Sequence, residues 1–272
     1  MQINTTPIHT GGDAALHRVP ILSDNYTWIL VNTSSGKTAV IDPGESKPVI
    51  AYCQAAGLTP TEIINTHHHK DHIGGNGRVC KKFSAPLIAP AGETARIPHI
   101  DQTVADGDTI EIAGFPTQVF ATPGHTTGHV AFYLPDCFGD ASLAFVGDTL
   151  FSLGCGRVSE GTMAEMWQSL SRVRALPDNT LICAGHEYTL GNANYGLSLG
   201  WDNLYLKKAA AEIKQKRGKN QPTLPFWLGD DKRANPFLNC DDGGLAQALA
   251  MQTSDAVAVF TALRKGKDNF KG

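Results

Sequence analysis

This sequence of 272 residues lacks several features that would place it in a special class of protein. No stretch approaches the roughly 20 apolar residues that a membrane helix requires. The opening segment, MQINTTPIHTGGDAALH, has no basic cap followed by an apolar run, so it does not resemble a secretory signal. There are only six cysteines, and none lies in a C-x-x-C pair. These absences predict reduced thiols in a cytoplasmic protein that does not associate with membranes.

An excess of positive charge is missing too. The chain carries 23 Lys and Arg against 26 Asp and Glu, for a formal net charge of -3. That balance, without a basic groove rich in aromatic residues, argues against a nucleic-acid partner. With 42% hydrophobic and 18% charged residues, the composition is typical of one large globular domain, or of one domain with a smaller one.

Strand patterns dominate the first 190 residues. YTWILVN, TAVIDPG, EIINT and PLIAPAG are predicted strands, and so are segments of TIEIAGFPTQVFATPG, HVAFYLP, SLAFVGDTLF and NTLICAG. Helical spacing marks KPVIAYCQAAG, which ends at Gly57, and a capping box of Thr162 and Glu165 opens a second helix. This order predicts α/β architecture with sheets covered by helices.

After about residue 190 the pattern becomes helical. NLYLKKAAAEIKQKRG is a predicted helix, a loop rich in proline and polar residues follows it, and Ser254 is predicted to cap the last helix. We therefore predict a strand-rich domain over residues 1–190 and a small helical domain over residues 191–272.

Four histidines and one aspartate are concentrated in NTHHHKDHIGG, directly after the predicted strand EIINT. In extended backbone, residues two apart point to the same side, so His67 and His69 can share a metal ion while His68 faces elsewhere. Asp71 and His72 follow where the chain turns toward IGG, within reach of a second metal. Imidazole and carboxylate ligands suit zinc, iron or manganese, so this spacing predicts a metal site.

One segment cannot complete two metal shells, so further ligands should follow strands later in the chain. Three candidates do so: His125 in TPGHTTGH, Asp148 in FVGDTL and His186 in CAGHEY. Each one alone is equally compatible with a hydrogen-bonded structural role. As an ordered set after H-x-H-x-D-H, they indicate one site with several ligands.

These motifs resemble the metallo-β-lactamase superfamily over about residues 17–190. Within it they resemble the glyoxalase II, or hydroxyacylglutathione hydrolase, family as far as the C-terminus. The similar motifs, in the family's order, are LSDNYTWIL, THHHKDHIGGN, TPGHTTGH, GDTLF, GCGR, EGT, AGHEYT, NQPTLP, NPF and RKGKDNF. The resemblance implies an α/β fold, a four-layer αββα sandwich with a small C-terminal α-helical domain. It also implies hydrolysis of S-2-hydroxyacylglutathione, typically S-lactoylglutathione, to glutathione and a 2-hydroxy acid, the second step of methylglyoxal detoxification.

The resemblance further implies two divalent metal ions per chain, with zinc expected first and iron or manganese as alternatives. The implied ligands form three groups: His67, His69 and His125 for one metal, Asp71, His72 and His186 for the other, and Asp148 bridging both. A hydroxide held between the metals would attack the thioester carbonyl, and Asp148 and Asp71 are the carboxylates assigned to catalysis. The thiolate leaving group needs little acid assistance because the pKa of a thiol is about 8.5.

Substrate contacts are expected mainly near the C-terminus, where Arg264 and Lys267 share a helix face. Composition alone favours a solvated basic tail here, whereas the resemblance assigns the pair to a glutathione carboxylate. Arg157 and Tyr188 match substrate-contacting positions of the family. Ser159 departs from many members, which carry an aromatic residue there, so a ring contact with glutathione is lost and a hydrogen bond remains available.

Other residues near the motifs are predicted to be structural. His129 is expected to pack rather than to orient a metal ligand, and Cys155 is expected to be structural because nothing indicates a lowered thiol pKa. The remaining histidines are predicted on the surface or in loops: His9, His17 and His99.

Two other functions stay open at this stage. One is another enzyme of the same fold, such as a glutathione persulfide dioxygenase with one iron, a lactonase or a β-lactamase, all of which lack the C-terminal helical domain with Arg264 and Lys267. The other is a nucleic-acid-processing or metal-binding protein, which the acidic balance disfavours. We expect a monomeric thioester hydrolase acting on a small-molecule glutathione thioester.

Overall fold

The computed structural model describes residues 3–252 and 255–271. They divide into two compact units: unit 1 contains residues 3–121 with Thr126–Gly147, and unit 2 contains Thr122–His125 with the described residues from Asp148 onward. This division does not test the domain boundary expected near residue 190, which stays a prediction. Within the described residues, no helix combines the length and apolar character needed to cross a membrane.

The first sheet of unit 1 has its strands in chain order. They are β1 (His9–Gly11), β2 (Ala14–Ile21), β3 (Asn25–Asn32), β4 (Thr38–Ile41), β5 (Glu62–Ile64), β6 (Leu87–Pro90) and β7 (Gln102–Val104). Strands β1 to β4 pair antiparallel, with Leu16 opposite Leu30, whereas β4 to β7 pair parallel. Because neighbouring parallel strands run the same way, the residues that follow β4, β5 and β6 meet at one edge of the sheet.

Helices α1 (Ser46–Ala56) and α3 (Asn76–Phe83) connect these parallel strands, and α2 (Lys70–Ile73) is a single turn before α3. Val49 of α1 and Val79 of α3 join Val40 and Ile63 of the strands in one buried core, each 0% exposed. Such burial stabilises each side chain by about 1.5–3 kcal/mol. Gly57 ends α1 in the left-handed conformation at φ 67°, as predicted.

The second sheet of unit 1 is antiparallel. Its strands are β8 (Thr109–Ile112), β9 (Phe115–Ala121), β10 (Val130–Leu134) and β11 (Ser142–Gly147). Every residue of β10 and β11 is buried, so these strands are covered on both faces. Their apolar runs therefore lack the alternation of a strand with one solvated face.

Unit 2 holds short strands and most of the helices. Its elements are β12 (Leu150–Phe151), β13 (Gly154–Cys155), α4 (Met163–Arg174), β14 (Thr180–Ala184), α5 (Thr189–Ser198), α6 (Leu204–Gly218), β15 (Phe226–Trp227), α7 (Leu228–Ala234), α8 (Gly243–Ala248) and α9 (Ala256–Asn269). Strands β12 and β13 form a hairpin, and β14 pairs with β15. The predicted capping box at the start of α4 is confirmed, because the side chains and backbone N–H groups of Thr162 and Glu165 bond reciprocally.

One strand was not predicted, one expectation about local structure is wrong, and one falls outside the described residues. β2 is not predicted from the sequence, because Pro20 and the polar pair before Val19 break its apolar pattern. His17 is not a surface residue: it lies in β2, 5% exposed, with Nδ1 2.9 Å from the Tyr52 hydroxyl. Ser254 lies outside the described residues, and the Asp255 side chain accepts from the N–H of Val257 at the start of α9.

Candidate active site

The ligand-type residues of unit 1 lie at the carboxyl edge of the parallel strands. β5 ends at Ile64, and His67 follows in fully buried chain. His69 is extended, at φ -60° and ψ 143°, and it precedes α2, which carries Asp71 and His72. The ring centroid of His67 is 4.8 Å from that of His69 and 4.2 Å from that of His72. The change from extended to helical backbone thus gathers these imidazoles.

Asp42, which directly follows β4, fixes the orientation of this cluster. Its carboxylate accepts hydrogen bonds from the Thr66 N–H at 2.8 Å, the Thr66 hydroxyl at 2.7 Å and His72 Nδ1 at 3.0 Å. Because a carboxylate only accepts, His72 carries its proton on Nδ1 and presents the Nε2 lone pair for coordination. Asp42 was not predicted as a site residue, although the motif IDPG at the end of a strand was a usable signal.

His67 is oriented in the same way. The Thr66 hydroxyl donates its proton to Asp42, so the Thr66 hydroxyl oxygen is left to accept. His67 Nδ1, 3.0 Å away, therefore donates to that Thr66 oxygen. Nε2 then holds the lone pair. Asp71 is held by Asn25, whose side-chain amide donates to Oδ2 at 2.9 Å, and Asn25 is a second residue that the sequence analysis missed.

Glycines let the ligand loop pack against the chain after β4. A Cβ at Gly44 would lie 1.7 Å from the Asp71 carbonyl oxygen, and one at Gly75 would lie 2.3 Å from the Pro43 carbonyl oxygen. Both distances are impossible for a real side chain. Only glycine therefore lets the backbone approach closely enough to hold Asp71 and His72 in place.

The ligand-type residues of unit 2 converge on one carboxylate oxygen. Asp148, directly after β11, places Oδ2 3.4 Å from His125 Nε2 and 3.2 Å from His186 Nε2. The side chain of each of the three is less than 10% exposed. His125 Nδ1 donates to the Arg157 carbonyl oxygen at 2.9 Å, which leaves the Nε2 lone pair toward Asp148. A carboxylate flanked by two imidazole nitrogens in this way is chemically suited to divalent cations.

Gly156, in the motif GCGR, is required by this arrangement. A Cβ there would lie 1.8 Å from the Asp148 carbonyl oxygen and 3.5 Å from His125 Nδ1. The segment after β13 can therefore pass behind Asp148 only as glycine.

Aromatic rings support His186. Tyr188 stacks on it with centroids 4.6 Å apart and planes at 8°, and Phe151 meets both rings edge-on at 5.8 Å and 5.2 Å. Such pairs contribute about 0.5–1.5 kcal/mol beyond burial. Phe151, from the motif GDTLF, was not predicted as a site residue, yet it fixes the plane of a predicted ligand.

A cavity of about 610 Å³ within unit 2 extends from Asp148 and His125. Four of the five predicted substrate-binding residues line it: Arg157, Tyr188, Arg264 and Lys267. Ser159 is exposed and is not among the lining residues. This volume suits a ligand of a few hundred daltons.

The two predicted C-terminal cations differ in their surroundings. Arg264 is 4% exposed, donates to the Cys155 carbonyl oxygen at 2.9 Å and pairs with Asp268 at 3.0 Å. Lys267 is more accessible, and its Nζ lies 3.1 Å from the Gly191 carbonyl oxygen. Burial, with the nearby charges of Arg264 and Arg157, lowers the pKa of Lys267. An anionic ligand would oppose that shift, because it would stabilise the charged ammonium.

Cys155 has the structural role expected of it, and the packing role expected of His129 stays a prediction. Burial raises the pKa of the Cys155 thiol to about 11, so it carries almost no thiolate at neutral pH. His129 is fully buried and stacks on His67, with centroids 4.9 Å apart.

Comparison with known proteins accounts for nearly the whole chain. Residues 23–186 match the family model described as the metallo-beta-lactamase superfamily, and residues 187–270 match the one described as the hydroxyacylglutathione hydrolase C-terminus. The hydroxyacylglutathione hydrolase of Rhodospirillum rubrum is 43% identical over 94% of this chain and 98% of its own length. That of Rhizobium meliloti is 45% identical over 91% and 95%. This chain belongs to the hydroxyacylglutathione hydrolase family.

Solved structures agree on the fold of the family. The B3 metallo-beta-lactamase BLEG-1 has a TM-score of 0.57 at 26% identity over 63% of this chain and 91% of its own. ETHE1 from Myxococcus xanthus has a TM-score of 0.55 at 29% identity over 64% and 76%. The predicted fold class, the αββα metallo-β-lactamase sandwich with a C-terminal helical region, is confirmed.

Proposed function

We propose that this member of the hydroxyacylglutathione hydrolase family cleaves S-2-hydroxyacylglutathione, typically S-lactoylglutathione, to glutathione and a 2-hydroxy acid. One observation carries the proposal: a single cavity joins Asp148 and His125 to the cationic residues Arg264 and Lys267. Thioester chemistry at one end and recognition of carboxylates at the other are what a glutathione thioester requires. The match of residues 187–270 to the hydroxyacylglutathione hydrolase C-terminus supports the same substrate class.

The ligands proposed for two divalent metal ions are those implied by the family resemblance: His67, His69 and His125 for one, Asp71, His72 and His186 for the other, and Asp148 for both. The protein fits such ions because Asp42, Thr66 and the Arg157 carbonyl hold His72, His67 and His125 in the tautomer that presents Nε2. When bound, the ions would supply Lewis acidity and lower the pKa of a water molecule toward about 7. We propose zinc, with iron or manganese accepted by the same donors.

The chain's own groups have separate tasks in the proposed reaction. Asp148 would orient the attacking water and accept its proton, because its carboxylate lies between two imidazole groups in a buried setting. Lys267 and Arg157 would attract the glutathione carboxylates, and Arg264 would add positive charge from below the cavity surface. No group needs to protonate the leaving thiolate, since the pKa of a thiol is only about 8.5.

The setting of the enzyme is part of the proposal as well. No disulfide links the cysteines of the described residues, which supports a reducing, cytoplasmic environment. A monomeric state stays a prediction. The alternative dioxygenase and lactonase functions are not favoured, because they leave the C-terminal region of residues 187–270 without a role.

The proposal is tested by thioester hydrolysis, followed as loss of the ultraviolet thioester absorbance, with elemental analysis of the same sample. S-lactoylglutathione should be consumed, and glutathione and lactate should be the products by mass spectrometry. The lactoyl thioester of N-acetylcysteamine, which lacks the glutathione carboxylates, should be a much poorer substrate. Equal efficiency on both thioesters would refute the role of the cationic end of the cavity. Oxygen uptake with glutathione persulfide would point to the dioxygenase instead.

A further inference from the structure

Glu93 is a fully buried carboxylate that takes no part in the proposed chemistry. It ends a short 3-10 helix, Ala91–Glu93, that follows β6 at the carboxyl edge of the parallel strands. Its Oε2 accepts from His68 Nδ1 at 2.7 Å and from Arg96 at 2.8 Å. Its Oε1 accepts from the Thr126 hydroxyl at 2.6 Å and from the Gly128 N–H at 3.1 Å. All of these residues belong to unit 1.

Three of the four donors, all except Arg96, come from the two loops that carry predicted ligands. His68 stands between His67 and His69, and Thr126 directly follows His125 in the chain. Gly128 precedes His129, whose ring stacks on His67. Glu93 therefore fixes one residue inside the first ligand loop and two residues just after a ligand of the second.

The backbone leaves Glu93 little freedom. A Cβ at Gly92 would lie 2.9 Å from Gly128 Cα, and a Cβ at Gly128 would lie 2.6 Å from the Gly92 carbonyl carbon. The two backbone segments that contain Gly92 and Gly128 therefore cross at a distance that only glycine permits. The Gly128 N–H consequently points at the carboxylate, and the crossing holds the Glu93 side chain in one place.

A contribution to stability does not by itself explain why the Glu93 carboxylate is buried. Its desolvation is expensive, and replacing a buried ionic group by apolar residues is often neutral or stabilising. Three hydrogen bonds that join the ligand-bearing loops give it a geometric task instead. Removing one partner would leave the others buried without compensation.

We propose that Glu93 is a positioning residue for metal binding: through His68 on one side and Thr126 with Gly128 on the other, it holds both histidine loops in the geometry that binds metal. The inference rests on the metal ligands of the proposed function and is independent of the substrate. His68, which does not belong to the proposed ligand set, thereby gains a role as the link between Glu93 and its two neighbours.

The decisive measurement is the zinc dissociation constant, obtained by competition with a chromophoric chelator on the full-length protein. Glu93→Gln should keep its far-ultraviolet circular dichroism and weaken zinc binding by about 10–100-fold, the effect typical of losing a group that orients a ligand. Excess free zinc should restore the kcat of thioester hydrolysis without changing KM. Glu62→Gln is the matched control, because Glu62 is a partly buried carboxylate at the opposite end of β5 that accepts from the Ala113 N–H. It should leave zinc affinity at the wild-type value.

Two further variants test which donors connect Glu93 to the ligand-bearing loops. His68→Phe and Thr126→Val each remove one donor to Glu93, the first keeping a planar ring and the second keeping the shape of the side chain. Each should weaken zinc binding, and Glu93→Gln should have a smaller effect in the His68→Phe background than in the wild type. If Glu93→Gln does not fold, the same two variants decide the matter by their zinc affinity.

Wild-type zinc affinity in a folded Glu93→Gln, or in both single-donor variants, would overturn the inference. So would a loss no larger than that of Glu62→Gln. The proposed function fails separately, if the zinc-loaded wild type leaves S-lactoylglutathione intact.

Discussion

Arg264 and Lys267 share a helix face, but they should respond differently to replacement by alanine. The Arg264 guanidinium is buried, donates to the Cys155 carbonyl and lies 5.4 Å from the centre of the Phe237 ring. A charge-assisted hydrogen bond contributes about 1.5–3 kcal/mol and a cation–π contact about 0.5–1 kcal/mol. The ion pair with Asp268 adds little, because the Asp268 side chain is 39% exposed.

We therefore expect Arg264→Ala to lower the free energy of unfolding by about 3 kcal/mol. For a chain of this size that corresponds to a melting temperature lower by about 6–12 °C. Lys267→Ala removes one hydrogen bond to the Gly191 carbonyl and long cation–π contacts with Tyr195 and Phe270, at 5.8 Å and 5.6 Å from the ring centres, and should lower stability by about 1–2 kcal/mol. Arg264 thus contributes to the fold of unit 2 as well as to the charge of the cavity.

Kinetics separate the roles further. Lys267→Ala should raise KM for S-lactoylglutathione about tenfold, equivalent to 1.4 kcal/mol of lost ion pairing, with kcat nearly unchanged. The same variant should leave kcat/KM for the N-acetylcysteamine thioester unaltered. Arg264→Ala should also raise KM more than it lowers kcat. Thermal melting and initial rates measured on the same preparations are sufficient. A wild-type melting temperature for Arg264→Ala, or an unchanged KM for Lys267→Ala, would refute this reasoning.

Three other predictions concern the site and its support. Asp148→Ala should abolish thioester hydrolysis and reduce the amount of bound metal. Full activity of this variant would contradict the two-metal mechanism. Gly156→Ala should give little folded protein, since its Cβ would meet the Asp148 carbonyl, and a soluble, active variant would contradict the packing described. Burial raises the pKa of Asp231 to about 7, so folding favours its protonated form and stability falls as pH rises from about 4 to 7. Relative to Asp231→Asn, the wild type should lose up to about 4 kcal/mol of its free energy of unfolding across that window, as measured by urea unfolding. The same pH dependence of this free energy in both proteins would contradict the prediction.

Asp231 matters because of what it holds. Its carboxylate accepts from the Leu153 N–H at 2.8 Å and from the Asn235 amide at 2.7 Å, and that amide also donates to the Gly154 carbonyl at 3.1 Å. These bonds tie α7 to the hairpin of β12 and β13. The hairpin carries Phe151, so the stability of α7 bears on the orientation of His186.

The ligand-type residues of the site could be predicted from the sequence, whereas most residues that hold them in place could not. His67, His69, Asp71 and His72 were accessible because their chemistry is written into one short segment after an apolar strand. Asn25 and Glu93 were not, because a lone amide or carboxylate has no local signature, and Asp42 was marked only by the strand-end motif IDPG. Each gains its role only from partners 24 to 46 residues away along the chain. Asp42 and Glu93 follow β4 and β6, the two strands on either side of β5, and strand order is a property of the sheet.

The sequence by itself determined the chemistry of this protein: the donor types, their order along the chain, the glycines that admit close backbone approach, and the family to which they belong. Tertiary structure decided how those groups are used. It selected the Nε2 atoms of His67, His72 and His125 by occupying each Nδ1 with a hydrogen bond, and it separated a buried Arg264 from an accessible Lys267. It also left Ser159 outside the cavity that holds the other predicted substrate contacts. The physical reason is that tautomer, burial and charge pairing depend on neighbours that the fold alone brings into contact.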